Sequence, residues 1–202
     1  MSKSKIIEKI ESLFKEESWG RIDPKDIGIS RFKILDDLFN SILAEGLAEE
    51  ALEKCREHIA EQPASITAAY ILGIIGYELE KIDEKKHLRR LIEKFLESHR
   101  WAISEFLSEK ILEYGESSFA LRSLATSLEK LGRNKEAVPV WENLLKIDRF
   151  DAHVAKKLAL ATVNQEQEKS IQYMKLSIEG FIKLKKFDEI QPLWQKLVTV
   201  SW

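Results

Sequence analysis

The sequence predicts an all-α chain, a right-handed α-solenoid of antiparallel helix hairpins with about eleven helices. Three observations predict it. Apolar residues recur at three- and four-residue intervals almost throughout, and strand-like alternation is absent over any useful length. The periodic stretches are separated by short breaks of about two to five residues, so consecutive helices should pack antiparallel. Finally, Glu136-Ala137-Val138-Pro139-Val140-Trp141-Glu142-Asn143-Leu144-Leu145 returns as Glu189-Ile190-Gln191-Pro192-Leu193-Trp194-Gln195-Lys196-Leu197-Val198, its proline and tryptophan displaced together by 53 residues. Internal similarity in a helical chain points to stacked units, each burying its apolar face on the next.

The first helix is expected over Ser4 to Phe14, with Ile6, Ile7, Ile10, Leu13 and Phe14 as its stripe. A loop with Trp19, Gly20, Pro24 and Gly28 follows. The second helix should start near Ser30, an N-cap candidate, and end at Gly46, which reaches positive φ cheaply. The third covers Ala48 to Glu61 and is stopped by Pro63; the fourth covers Ile66 to Glu80. The fifth runs from Asp83 to Glu97, the sixth from Arg100 to Tyr114 ahead of Gly115, and the seventh from Ser118 to Leu131 ahead of Gly132. Asn134 to Ile147, Ala152 to Val163, Glu168 to Leu184 and Asp188 to Val200 complete the set. Pro139 and Pro192 should fall in or just after the first turn of their helices, where a missing N–H costs little.

Composition narrows the function. A chain of 202 residues buries roughly 70% of its unfolded surface without staples. A net charge of −2 argues against a strongly charged partner such as bulk nucleic acid. The lone cysteine, Cys55, cannot form an internal disulfide, which suits a reducing compartment. No apolar run approaches the ~18 residues of a membrane span, and the N-terminus lacks a signal-peptide core. A cytoplasmic protein without membrane association is expected.

The helical pattern resembles the tetratricopeptide repeat, a hairpin of about 34 residues. Around Gly132, Leu121, Leu124, Ala125 and Leu128 precede the turn, and Ala137, Trp141 and Leu144 follow it. Small Ala125 and Ala137 let two helices approach closely while large neighbours fill the groove beside them. A second window places Leu35, Leu38, Phe39 and Ile42 before Gly46, with Ala51, Cys55 and Pro63 after it. Leu72-Gly73 opens a third match that is lost after Glu80, and a fourth joins Ala155, Leu158 and Ala159 to Ser170 and Met174. The 53-residue displacement amounts to a hairpin plus one helix, so the array is irregular: either single helices are inserted or some helices exchange roles. The expected organisation is an N-terminal helix and loop, residues 1–29, then a repeat array, residues 30–202. The apolar end from Leu197 to Trp202 reads as a truncated solenoid, because a capping helix carries a polar outer face.

Ser30–Phe39, His99–Ala125 and Lys135–Asp148 also look like the helical N-terminal extension of long-form bacterial transcription elongation factors of the Gre type. That resemblance implies a role connected to RNA polymerase, with the polymerase or an associated factor as partner. It carries over no catalytic residue. The Gre cleavage module is a coiled coil with an acidic, metal-holding tip, and no such hairpin is written in this sequence.

No constellation points to an enzyme, a cofactor or a metal. His58, His87, His99 and His153 form no close pair and lie apart from Cys55. No glycine-rich loop cradles phosphate, and the acidic pairs Asp36-Asp37 and Glu49-Glu50 read as solvated helix faces.

What remains is a surface. In tetratricopeptide arrays the first helix of each hairpin lines the binding groove. Here that face would carry Phe119, Arg122 and Thr126, then His153, Lys156 and Lys157. Such a basic cluster suits a protein or acidic peptide held by charge-assisted bonds. The N-terminal groove would offer Asp36, Asn40, Tyr70 and Tyr77 instead. Two other functions fit the sequence: a nucleic-acid-binding repeat, suggested by Lys85, Lys86, His87, Arg89 and Arg90 and diluted by Glu84 and Glu93, and an oligomerisation module.

Overall fold

The apolar periodicity becomes eleven helices, with no strand among the described residues, in a computed structural model that describes residues 3–18 and 28–200. In chain order they are α1 (Lys3–Ser18), α2 (Ile29–Ala44), α3 (Ala48–Glu61), α4 (Ile66–Glu78), α5 (Ile82–Glu97), α6 (Trp101–Glu113), α7 (Ser118–Lys130), α8 (Asn134–Ile147), α9 (Ala152–Thr162), α10 (Gln167–Lys183) and α11 (Phe187–Val200). Most ends lie within a residue or two of the periodic reading, although α1 continues past Phe14 to Ser18. Trp19, Gly20 and Pro24 of the expected loop, and Ser201 and Trp202 at the C-terminus, lie outside the described residues.

The start of α2 differs from expectation. Its N-cap is Gly28, extended at φ −104°, and Ser30 lies inside the first turn without capping the helix. The helix begins one residue earlier than the side chain that seemed to announce it, so its first amides have no side-chain cap. The C-terminal punctuation does follow the sequence. Gly132 adopts φ +78°; its N–H donates to the Glu129 carbonyl at 3.0 Å, and the next N–H, of Arg133, reaches the Leu128 carbonyl at 2.9 Å. A Cβ at Gly132 would meet nothing within 4 Å. Gly132→Ala should therefore cost about 1–2 kcal/mol through backbone strain alone. Urea denaturation checks this, and an unchanged midpoint would count against it.

The prolines fall just after the first turn of their helices, as expected. Each is the sixth residue of its helix, Pro139 in α8 and Pro192 in α11. There an N–H would already bond to the carbonyl four residues back, so each proline removes one intrahelical bond. Both prolines and both freed carbonyl residues, Lys135 and Asp188, are exposed, which lets water replace the partner.

The chain forms two compact units, Met1–Gly115 and Glu116–Trp202. In the first, α4 is the axis. Every residue from Ile66 to Tyr77 is buried, the state expected of a helix that is apolar all round. Neighbours α1, α2, α3 and α5 surround it. So α1 packs into this unit, against α2, α3 and α4. The Glu17 carboxylate on α1 accepts hydrogen bonds from Ser65 Oγ at 2.9 Å and from the backbone N–H groups of Ile66 and Thr67 at 2.5 and 3.1 Å. It caps the α4 N-terminus, where free amides and the helix dipole favour a carboxylate. Glu17→Ala should cost about 1 kcal/mol, a typical loss for a helix cap, read as a lower unfolding temperature. Phe32 of α2 is the aromatic hub, with ring centroids 5.2 Å from Tyr70, 5.9 Å from Phe95 and 6.2 Å from Phe106. The hairpin pattern lost after Glu80 has a physical explanation: here the small residues, Gly73 and Gly76, both lie on α4, and α5 presents Leu88 and Glu84 to them.

In the second unit, α7 pairs with α8 and α9 with α10, while α11 packs on α10. Ala125, Ala137, Trp141 and Leu144 are buried between α7 and α8, as their spacing predicts. In the next hairpin, Ser170 and Ser177 of α10 donate to the α9 carbonyls of Ala159 and Ala152 at 2.7 and 2.8 Å. The repeated phrase diverges in three dimensions. Trp141 is 1% exposed, whereas Trp194 is 57% exposed and α11 buries Leu193 and Leu197 instead. The same phrase thus serves the second helix of the α7–α8 hairpin and the helix that follows the α9–α10 hairpin.

Candidate interaction surfaces

The side chains predicted to line a binding face lie on α7 and α9, and the structure brings them to one surface with α11. Three cross-helix ion pairs stitch it together. Arg122 of α7 pairs with Asp151, the N-cap of α9. Lys157 of α9 pairs with Glu129 of α7. Lys156 of α9 reaches Glu189 of α11 at 2.5 Å. Thr126 Oγ1 donates back to the Arg122 carbonyl at 2.8 Å and is spent within its own helix. His153 lies edge-on to Phe181 at 4.9 Å, with its Nε2 3.0 Å from Lys186 Nζ. Phe119 is half-buried on the same helix as Arg122.

The expected basic cluster is thus offset by Glu129, Asp151 and Glu189. Sequence reasoning missed these carboxylates. Asp151, directly ahead of the Ala152 helix start, is the one with a local signal, that of an N-cap. Glu129 has a second duty, since Trp141 Nε1–H donates to its Oε1 at 2.7 Å while Lys157 Nζ lies 4.8 Å from the Trp141 ring. A core tryptophan is thereby tied to the surface face.

These pairs set a pH dependence. Burial works against ionisation of Asp151, but the Arg122 guanidinium and the Val154 and His153 amides outweigh it and hold the carboxyl below its usual range. Arg56 does the same for Glu84, and Lys156 for Glu189. A depressed carboxyl pKa stabilises the fold above the unfolded value of about 4, and that stability is lost as pH falls through the folded value. Unfolding free energy should therefore fall as the pH drops below about 4. Asp151→Asn, which keeps a capping oxygen but no charge, should flatten part of that fall in an acid titration followed by circular dichroism.

The other surfaces are more occupied than the sequence suggests. In the first unit Tyr70 is buried and its hydroxyl bonds to Asp36, whose carboxylate also meets Lys110 at 3.0 Å. Burial first, and then that bond, push the Tyr70 phenol well up. Tyr77 is buried, with its hydroxyl 3.3 Å from Arg89 Nε, which leaves Asn40 as the exposed member of the expected N-terminal groove. Along the basic run, Lys85 pairs with Glu80 and Lys86 with Asp83. His87 is pushed down by burial and by Arg90. Both lysines of the run are thus held by carboxylates of the chain. Cys55 is fully buried, which drives its thiol pKa far upward and away from the reactive thiolate. No three His, Cys, Asp or Glu side chains converge among the described residues, and no described helix is long and apolar enough to cross a membrane.

Comparison with known proteins agrees with this picture. No known family profile matches the sequence. The chain is 30% identical over 198 residues to a protein of Borreliella burgdorferi named transcription elongation factor GreA, covering 98% of this chain and 22% of that protein. It is 32% identical over 184 residues to a putative GreA-associated domains protein of Treponema pallidum, covering 89% of this chain and 28% of the relative. It thus spans about a quarter of the length of these relatives. Among solved structures, the complex of the TPR2AB domain of yeast Sti1 with pHSP90 matches with a TM-score of 0.50 and 14% identity, over 99% of this chain and 81% of that one. The fold is that of tetratricopeptide-type helical repeats, and nearly the whole chain is similar to a part of proteins named for Gre.

Proposed function

We propose that the chain is a non-catalytic protein-interaction scaffold, the N-terminal arm of a Gre-type transcription elongation protein, acting in the cytoplasm on RNA polymerase or a factor associated with it. The similarity along 98% of the chain to a protein named GreA carries this reading. The fold supports it, because stacked hairpins offer extended surfaces.

The face of α7, α9 and α11 is the contact surface, with Phe119, Arg122, Thr126, His153, Lys156 and Lys157 on it. Its ion pairs do not forbid this role. Partly exposed pairs of this kind contribute about 0–1 kcal/mol, so a partner's carboxylates can replace Asp151, Glu129 and Glu189 at little cost. Purified RNA polymerase should be retained by the immobilised chain, and a Lys156→Glu/Lys157→Glu variant should retain it about tenfold less well. Failure to retain either the polymerase or an associated factor would refute the assignment.

A further inference from the structure

The outer helices of the second unit carry a second surface. A groove of about 630 Å³ opens between the C-terminal end of α8, the α8–α9 loop and α10. Its volume lies within the ~300–1,000 Å³ of ligand sites. Leu145 and Leu176 form an apolar wall, and Phe150 stands at the mouth, 67% exposed. The loop holds Phe150 there: its N–H bonds to Asp148 Oδ1 at 3.2 Å, and the Asp151 carboxylate caps α9 immediately after it.

The charge around the groove is one-sided. Lys146, Arg149 and Lys169 line it, with Glu142 as the one acid among the lining residues. Glu142 is already engaged, accepting the Tyr173 hydroxyl at 2.9 Å with Lys169 3.9 Å away. Lys169 is also held by Glu166 at 2.5 Å. Arg149 makes no ion pair among the described residues, and the contact of Lys146 is the neutral Asn143 Oδ1 at 3.0 Å. On the α7/α9/α11 face, by contrast, Arg122, Lys156 and Lys157 each hold a carboxylate. The groove therefore combines unpaired cations, an apolar recess and an exposed ring.

We propose that the α8/α10 groove binds an acidic protein segment, seating an aromatic or branched aliphatic side chain against Leu145, Phe150 and Leu176 while flanking carboxylates meet Arg149 and Lys146. Charge complementarity selects this occupant. A single-stranded nucleic acid fits less well, because base stacking needs open aromatic faces and Lys183 Nζ already covers one face of the Phe150 ring at 4.3 Å. This goes beyond the polymerase reading and does not depend on it.

Selection of a displayed random peptide library on the intact chain tests the proposal. The enriched sequences should carry Asp or Glu on both sides of a Phe, Trp, Leu or Ile. A synthetic peptide from the enriched set should bind tenfold or more weakly to Arg149→Glu and to Phe150→Ala. Both residues lie in an exposed loop, so circular dichroism should show unchanged helix content. The same peptide should bind Lys156→Glu/Lys157→Glu as it does the unaltered chain, which separates this groove from the α7/α9/α11 face. The proposal is overturned if nothing is enriched, if basic sequences are enriched, if affinity survives Arg149→Glu, or if oligothymidylate binds the groove more tightly than the selected peptide.

Discussion

Trp141→Ala should destabilise the second unit by about 3–5 kcal/mol. The side chain is the largest of those fully buried, inserted between α7 and α8 beside Ala125 and Ala137. Truncation forfeits its burial and leaves a cavity that the two helices cannot close, since their approach is already fixed by alanines. It also removes the Nε1–H donor from Glu129, whose carboxylate is then held by Lys157 alone. Trp141→Phe should recover most of the packing and lose about 1 kcal/mol for the hydrogen bond. Trp194→Ala is the control: the same phrase places this tryptophan on the surface, and its removal should stay within about 0.5 kcal/mol. Urea denaturation followed by helical ellipticity reads all three. Equal losses for Trp141→Ala and Trp194→Ala would contradict the assignment of opposite environments.

The second large effect belongs to the first unit. A Cβ on Gly73 would lie 2.5 Å from Leu88 Cβ and 2.7 Å from the Leu88 backbone nitrogen; one on Gly76 would lie 2.6 Å from Glu84 Cβ and 2.7 Å from the Lys85 nitrogen. These neighbours are backbone and Cβ atoms of α5, so no rotamer change relieves the overlap, and α4 and α5 must move apart. Alanine gains about 0.5–1 kcal/mol over glycine in a helix. Overpacking typically costs 1–3 kcal/mol and should win at each site. Gly73→Ala/Gly76→Ala together should lower stability by about 3 kcal/mol or more, because both changes open the same crossing. Thermal unfolding is the check, and a raised melting temperature would show that the helices can separate freely.

Helices and their ends were legible because both are local. A 3.6-residue stripe, a Gly132 or a Pro63 needs no knowledge of the rest of the chain. Which face of a helix is buried by which neighbour was less legible. Pro139-Val140-Trp141 and Pro192-Leu193-Trp194 read alike, yet α11 buries Leu193 where α8 buries Trp141; adjacent residues point about 100° apart, and the neighbouring helices decide which of the two faces inward. The α4–α5 hairpin looked broken for a related reason. Its small residues moved onto one partner, and a template that expects one on each helix cannot register that.

The candidate surface was half legible. The resemblance to tetratricopeptide arrays put Arg122, His153, Lys156 and Lys157 on one face, and cross-helix ion pairs join Arg122, Lys156 and Lys157 there. Their neutralising partners come from other helices or from the loop before α9, at sequence distances of 28 to 33 residues for Glu129, Asp151 and Glu189. No local pattern announces such pairs. The α8/α10 groove escaped for the same cause, since its walls belong to two helices and a loop. One hint existed: Phe150 sits in the break between two helices, where the chain has little to bury it against.

We propose that the exposed face of α7, α9 and α11 engages RNA polymerase or a factor associated with it. Hydrogen–deuterium exchange of the chain, with and without the polymerase and those factors, reads this contact helix by helix. Slowed exchange in α7, α9 and α11, relieved by Lys156→Glu/Lys157→Glu, is the predicted result. Slowing confined to other helices, or none at saturating polymerase, would contradict it.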